Sequence, residues 1–329
     1  MNTALRNLTF ISNVSTPETV YKNVPEFKNF NVKFFTLGDS AEKIAELAPD
    51  TEFIMADAMA KIGEELLSKL PKLKFIQSEG VGYQGIDLES CKRHSVLVSN
   101  NKGINDTAVA ECAVMLILAC LKNLTSGQKA VYEGRQIEVK KASFGVVREL
   151  SQCTVGLVGF GDIARKTAEL LNAFGAEVIY TNRTRYETLE EKYNVRFCDM
   201  DTLLEKSDFV SLHLAVCEET KNIANSEFFS KMKKDAYLIN TARGDLVDNQ
   251  ALLEALQNKQ IAGAGLDVIS PEPVTRDNIL LNGNVDDRLV ILPHISGITN
   301  LTVKKLYKNG YDNIQRIISG GEALNLVNK

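Results

Sequence analysis

What this 329-residue sequence lacks already narrows its function. No pair among its six cysteines (Cys91, Cys112, Cys120, Cys153, Cys198 and Cys217) has C-x-x-C spacing, and three lie inside apolar runs. A disulfide framework and a zinc site are therefore not expected, which fits a reducing cytoplasm. Basic residues are not in excess: 38 Lys and Arg stand against 42 Asp and Glu, a net charge of -4 with His neutral, so no electrostatic footprint for nucleic acid is present. Short basic clusters such as Lys231 to Lys234 read as solvated faces. The longest apolar run, 112–121, is about half of what crosses a bilayer, and the opening MNTALRNLTF has no signal-peptide core. The expectation is a cytoplasmic protein with neither nucleic-acid nor membrane partners and without a metal.

Short apolar runs alternate with polar helical segments throughout. Strands are expected at 8–12, 32–37, 52–56, 73–78 and 96–99, with helices at 40–47 and 62–70 between them. The stretch 105–123 predicts the longest helix, buried on most sides. A less hydrophobic segment, 125–151, leads to a second series with strands at 154–159, 177–181, 195–198, 208–214, 236–241, 261–268 and 289–293. An amphipathic helix over 300–320 closes the sequence, stopped by Gly320-Gly321. Two βαβ series predict an α/β protein of two doubly wound parallel-sheet domains, with the chemistry in the cleft between them.

The run Thr154 to Thr184 has the layout of a dinucleotide-binding unit: a strand, Gly159-Phe160-Gly161-Asp162-Ile163-Ala164, a helix, then a second strand. Gly159 permits the tight turn, Gly161 lets the backbone approach a pyrophosphate, and Ala164 is small enough for close helix–strand packing. Twenty-one residues after Gly161, where an acid would hold the ribose hydroxyls of NAD, stands Asn182, followed by Arg183, Thr184 and Arg185. With no carboxylate to repel a 2′-phosphate and two arginines to attract it, this end favours NADP, with NAD possible. The alternative is a solvated loop whose arginines face water and carry no such preference.

Three further stretches end strands with reactive side chains: Arg243 in LINTARGDLVD, Asp267 and Glu272 in AGAGLDVISPEP, and His294 in VILPHISG. In order and spacing, these stretches resemble the D-isomer-specific 2-hydroxyacid dehydrogenase family. So do NNKGINDTAVAE (100–111), the glycine motif, SLHLAVCEETKNIAN (211–225) and SEGVGYQGIDL (78–88). The resemblance covers nearly the whole chain. It implies a Rossmann NAD(P)-binding domain (103–295) inserted into a flavodoxin-like substrate-binding domain (1–102, with a C-terminal helix in 296–329 returning to it). The implied activity is an oxidoreductase moving a hydride between NADPH and a small 2-oxo acid to give a D-2-hydroxy acid.

The resemblance also implies roles. His294 would be the acid/base, Glu272 its partner and Arg243 the substrate-binding cation, while the backbone near Val81 and Gly82 would hold the substrate carboxylate. Asp267 would contact the nicotinamide carboxamide, Thr241 and Ala242 would line its pocket, and His213 and Ala215 would line the adenine side. Thr107, Thr220 and Gly297 complete the cofactor positions. The apolar helix at 105–123 resembles a dimer-forming segment, so a homodimer is implied. Three departures blur the subfamily: Lys102 and Ala215 stand where proline is frequent, and no Trp precedes the glycine motif. An NAD-dependent or phosphoglycerate-type dehydrogenase stays open, as does a non-catalytic, dinucleotide-sensing corepressor-like protein.

Overall fold

The computed structural model describes residues 5–329. They form two compact units: the N-terminal part up to Asn105 with Thr299–Lys329, and Asp106–Ile298. The chain changes unit after Asn105 and Ile298, where the sequence placed the changes after 102 and 295.

The first unit runs β1 (Arg6–Ile11), α1 (Pro17–Asn23), β2 (Phe30–Phe35), α2 (Ala41–Leu47), β3 (Phe53–Ala56), α3 (Glu64–Leu67), β4 (Phe75–Ser78), α4 (Leu88–Arg93) and β5 (Leu97–Ser99). All five strands are parallel, in the order β2-β1-β3-β4-β5. This is the flavodoxin-like order. Leu8, Phe10, Phe53 and Phe75 belong to one buried cluster, with Tyr307 and Ile314. Ile11, Ile54, Ile76 and Val98 belong to another, with Ile44 and Leu66. A parallel sheet covered on both faces leaves its strands no polar side, so they read as short apolar runs.

The second unit opens with α5 (Asp106–Leu121), α6 (Leu124–Tyr132) and α7 (Gln136–Ser143). It continues as β6 (Thr154–Val158), α8 (Asp162–Ala173), β7 (Glu177–Thr181), α9 (Glu187–Tyr193), β8 (Arg196–Phe197), α10 (Met200–Lys206) and β9 (Phe209–Leu212). The remainder is α11 (Ser226–Lys231), β10 (Tyr237–Asn240), α12 (Asn249–Gln257), β11 (Gly263–Leu266), α13 (Ile279–Asn282) and β12 (Leu289–Ile291). Its seven strands are parallel, in the order β12-β11-β10-β9-β6-β7-β8. Counted from β6, this is the Rossmann order extended by one strand. The order reverses between β6 and β9, so the turns after these strands flank the switch point where such sheets bind ligands.

Leu116, Ile117 and Cys120 of α5 pack with Val155, Leu157 and Ile239, so the apolar run of this helix is core. Among the described residues no single helix is long and apolar enough to cross a membrane. Only α5 and α6 taken together have that composition, and they are bent by 53°. The helices α6 and α7 fill the segment the sequence marked only as less hydrophobic. No residue of α7 is buried, so it carries no apolar stripe that would announce a helix.

The last helix, α14 (Asn300–Ile318), belongs to the first unit. Its Asn313 Nδ2 donates to Gln77 Oε1 at 2.9 Å, and its Tyr307 hydroxyl lies 2.7 Å from Ser15 Oγ.

Candidate active site

The glycine turn follows β6 directly. Gly159 has φ +94°, and a Cβ there would lie 2.6 Å from the His213 carbonyl oxygen, so both the backbone and the neighbouring strand end demand glycine. Gly161 is the N-cap of α8, and a Cβ there would meet nothing within 4 Å. The twelve-residue helix α8 thus opens on a turn free of side-chain cover, where unpaired N–H groups and the helix dipole favour an anion. These residues fit a pyrophosphate. Ala164 is fully buried beneath the turn. Phe160 is buried too, stacked on Tyr180 with ring centroids 4.1 Å apart, so only its backbone is available to a cofactor. Ile163 is half-buried, and the exposed Asp162 lies 3.4 Å from Arg165 Nη1.

The structure separates the two arginines beyond β7. Arg185 makes a two-pronged pair with Glu190 (Nε–Oε1 2.7 Å, Nη2–Oε2 3.1 Å) and lies over the Phe197 ring. Arg183 is exposed and makes no hydrogen bond or ion pair among the described residues; the charge it presents is felt by Glu219. Asn182 Nδ2 donates to the Thr184 carbonyl at 3.0 Å and closes the turn between them, leaving the Thr184 side chain outward. Arg165, one turn into α8, escaped the sequence reading. Its guanidinium covers the rings of Tyr186 (5.1 Å) and Phe160 (5.8 Å), and its buried Nε has no partner among the described residues.

After β9, His213 is partly buried with Nε2 2.9 Å from Ser211 Oγ, and burial pushes its pKa down to about 4, so it stays neutral. Thr220 Oγ1 donates to the Ala215 carbonyl at 2.7 Å and accepts from Cys217 N at 2.8 Å, shaping the loop that carries the exposed Ala215. Thr107 is exposed in the first turn of α5, and Gly297 is half-buried.

Beyond β10, Asn240 holds the next turn from inside. Its Nδ2 donates to the Arg243 carbonyl at 2.8 Å and its Oδ1 accepts from Ala242 N at 3.0 Å. Thr241 is buried, and its hydroxyl has no partner among the described residues, a second polar atom suited to a ligand. Arg243 Nη1 donates to the Ala242 carbonyl at 2.7 Å, and burial lowers its pKa somewhat while Glu272 opposes that shift.

His294 Nδ1 lies 2.9 Å from Glu272 Oε1 and 3.1 Å from Oε2, and the imidazole is about half exposed (45%). The bond from Glu272 raises the His294 pKa, and the Arg243 charge acts against it. Arg243, Glu272 and His294 therefore share one electrostatic neighbourhood. Asp267 is buried, and both its carboxylate oxygens accept backbone bonds, from Ile295 N and Ser296 N at 2.9 Å each. Its carbonyl accepts from His294 N at 2.8 Å. The resemblance implies Asp267 at the nicotinamide; in the structure it also clamps the turn that holds His294 at φ +55°.

In the first unit, Val81 and Gly82 follow β4 in the loop 78–82. Every carbonyl of this loop accepts a hydrogen bond. Asn101 Nδ2 donates to the Ser78 and Glu79 carbonyls at 3.1 Å each, and Asn101 N to that of Gly80 at 2.9 Å. Asn100 Nδ2 donates to the Val81 carbonyl at 2.7 Å, and Ser78 Oγ to that of Gly82 at 2.5 Å. The N–H groups of Gly80, Val81 and Gly82 donate to no described residue. Glu79 is buried, with Oε1 accepting from Ser15 Oγ at 2.5 Å, and burial pushes its carboxyl up to about 7. Neither asparagine nor Glu79 was singled out in the sequence.

Among the described residues no group of three or more His, Cys, Asp or Glu side chains is placed to hold a metal ion, and all six cysteines are free thiols.

Comparison with known proteins places this geometry. Residues 114–296 match the model of the D-isomer specific 2-hydroxyacid dehydrogenase, NAD binding domain. A glyoxylate reductase of Thermofilum pendens is 35% identical over 88% of this chain and 85% of its own. The chain belongs to the D-isomer specific 2-hydroxyacid dehydrogenase family. Solved structures agree along nearly the whole length. An NADPH-dependent glyoxylate/hydroxypyruvate reductase from Sinorhizobium meliloti, in complex with NADP and malonate, superimposes with a TM-score of 0.82 at 27% identity, covering 98% of this chain and 96% of that one. A D-lactate dehydrogenase from Aquifex aeolicus, complexed with NAD and lactic acid, gives 0.84 at 30% identity over 98% and 99%. The same family fold thus holds NADP in one of these relatives and NAD in the other.

Proposed function

We propose that this protein reduces small 2-oxo acids, of the glyoxylate, hydroxypyruvate or phenylpyruvate kind, to D-2-hydroxy acids with NADPH. The observation that carries this reading is the His294–Glu272 pair beside Arg243, in the unit that also holds the open glycine turn. The dinucleotide, when bound, supplies the hydride. His294 gives its proton to the oxo oxygen, and Glu272 favours the imidazolium that carries it. Arg243 pairs with the oxo and carboxylate oxygens and stabilises the charge that develops on the former. The N–H groups of Val81 and Gly82 hold the carboxylate. Gly159, Gly161 and the first turn of α8 take the pyrophosphate, with the N–H groups of Phe160, Asp162 and Ile163; Thr241, Ala242, Asp267 and Gly297 serve the nicotinamide end. Thr107, His213, Ala215 and Thr220 complete the cofactor contacts, with Asn182, Arg183 and Thr184 at the ribose.

The exposed, unpaired Arg183 and the absence of an acid at Asn182 support NADPH. The commitment of Arg185 to Glu190 favours a second reading, in which the preference is modest and NADH also serves. Oxidation of NADPH and of NADH, each with a panel of 2-oxo acids, tests both readings. Turnover of at least one acid by the wild type is expected, and none by His294→Ala with cofactor affinity nearly intact. Tight cofactor binding with no turnover of any acid would instead support a dinucleotide-sensing, non-catalytic protein.

We also assign a homodimer formed through α5. An apolar depression of about 450 Å³, lined by Val114, Met115, Leu118, Leu124, Leu170 and Phe174, supports it, and Tyr132 and Phe144 nearby in the chain are largely exposed. The six free thiols are in keeping with the cytoplasm.

A further inference from the structure

We propose that Asn100 and Asn101 are positioning residues for the substrate carboxylate: they pin the carbonyls of loop 78–82 so that its N–H groups face the ligand. The inference rests on the assignment of this loop to the carboxylate of a 2-oxo acid.

The argument begins with the peptide plane. Across a trans peptide the C=O of one residue and the N–H of the next point in opposite directions, so fixing one fixes the other. The Glu79 carbonyl, held by Asn101 Nδ2, sets the N–H of Gly80. The Gly80 carbonyl, held by Asn101 N, sets that of Val81. The Val81 carbonyl, held by Asn100 Nδ2 at 2.7 Å, sets that of Gly82. Three consecutive N–H groups are thereby aimed away from the asparagines, and none has a partner among the described residues.

Without the clamps, two glycines in three residues would let these peptide planes rotate, and a carbonyl turned outward would repel a carboxylate. The clamps are rigid because they are buried: Asn101 is 0% exposed and Asn100 is 8% exposed. The loop end is anchored separately, through Glu79 to Ser15 and on to Tyr307 of α14. No helix N-terminus contributes here; the side-chain amides of Asn100 and Asn101, with the Asn101 backbone N–H, orient the donors.

The test is steady-state kinetics of Asn100→Ala and Asn101→Ala with glyoxylate and saturating NADPH, alongside NADPH titration and circular dichroism. Loss of one well-aimed donor to a carboxylate is expected to raise the KM for glyoxylate about tenfold in each variant. The kcat and the NADPH dissociation constant should stay within about twofold of wild type. A merely structural role would lower kcat and cofactor affinity together. Asn100→Asp, which keeps the size but cannot donate, should raise KM at least as much as Asn100→Ala. Should the fully buried Asn101→Ala fail to fold, the Asn100 variants decide. Wild-type turnover with unchanged KM in the folded variants would overturn this inference alone. No wild-type turnover of any 2-oxo acid would overturn the functional reading and this inference with it.

Discussion

Two turns in this protein present backbone N–H groups, and they are built by opposite means. The turn after β6 uses covalent simplicity: Gly159 takes φ +94° against the His213 carbonyl, and Gly161 leaves open space before an α-helix of twelve residues. Its donors are aimed by the helix itself, and the dipole adds to them. The loop after β4 has no such helix. Its donors are aimed because asparagine side chains hold the carbonyls from behind. The first design needs only the right residues in a row, while the second needs partners about twenty residues away in sequence. A diphosphate with several oxygens suits a helix end; a single carboxylate suits a few donors fixed one by one.

The largest effect is expected where the first turn is blocked. Gly161→Val should still fold, because a Cβ there meets nothing within 4 Å, yet the side chain projects where the pyrophosphate is proposed to rest. Its NADPH affinity should fall by roughly a hundredfold or more, about 3 kcal/mol, with an unchanged melting temperature. Fluorescence titration and thermal melting check both halves, and normal affinity would remove the turn from the cofactor site.

The second loop carries a titratable anchor and the first does not, which predicts a difference with pH. Burial raises the folded-state pKa of Glu79 to about 7, against 4.5 when exposed. Between these values the unfolded chain has already released its proton while the folded chain retains it, so stability falls as pH rises through this window and levels off above about 7. The loss is on the order of 3 kcal/mol. Glu79→Gln, which still accepts from Ser15, should lack this component and gain most over wild type at pH 8. Denaturation midpoints at pH 4.5 and pH 8 measure it; parallel curves for the two proteins would refute it.

The smallest effects separate the arginines. Arg183→Ala should weaken NADPH about tenfold and NADH less than twofold, by removing one charge-assisted contact to the 2′-phosphate. Arg185→Ala should change NADPH less than Arg183→Ala does, since its guanidinium is engaged by Glu190. Equal losses for both cofactors in Arg183→Ala would return that residue to the solvated surface.

The difference between the two turns also explains what could be read in the sequence. The glycine motif is local, so strand, turn and helix announced it together. The buried strands announced themselves as apolar runs, and the order of Arg243, Glu272 and His294 along the chain was plain. Asn100 and Asn101 lie in the stretch NNKGINDTAVAE, but their work is done on carbonyls about twenty residues away, and no periodicity encodes that contact. Glu79 looks like any loop acid until its burial is known. The pairing of Arg185 with Glu190 is local, since the acid lies only five residues on in ETLEEKY. The resemblance implies a ligand role for Asp267; what no pattern announced is that each of its oxygens also accepts a backbone bond from the turn after His294. The helices α6 and α7 stayed unread because their outward faces bury too little to leave a pattern.

The central claim is that cofactor and substrate are held by two independently built sets of N–H groups and charges. Measuring the NADPH dissociation constant and the glyoxylate KM in Asn100→Ala and Arg183→Ala tests it directly. The account predicts that Asn100→Ala raises KM about tenfold and leaves NADPH binding within twofold, while Arg183→Ala weakens NADPH and leaves KM within twofold at saturating cofactor. Both constants moving by the same factor in either variant would contradict it.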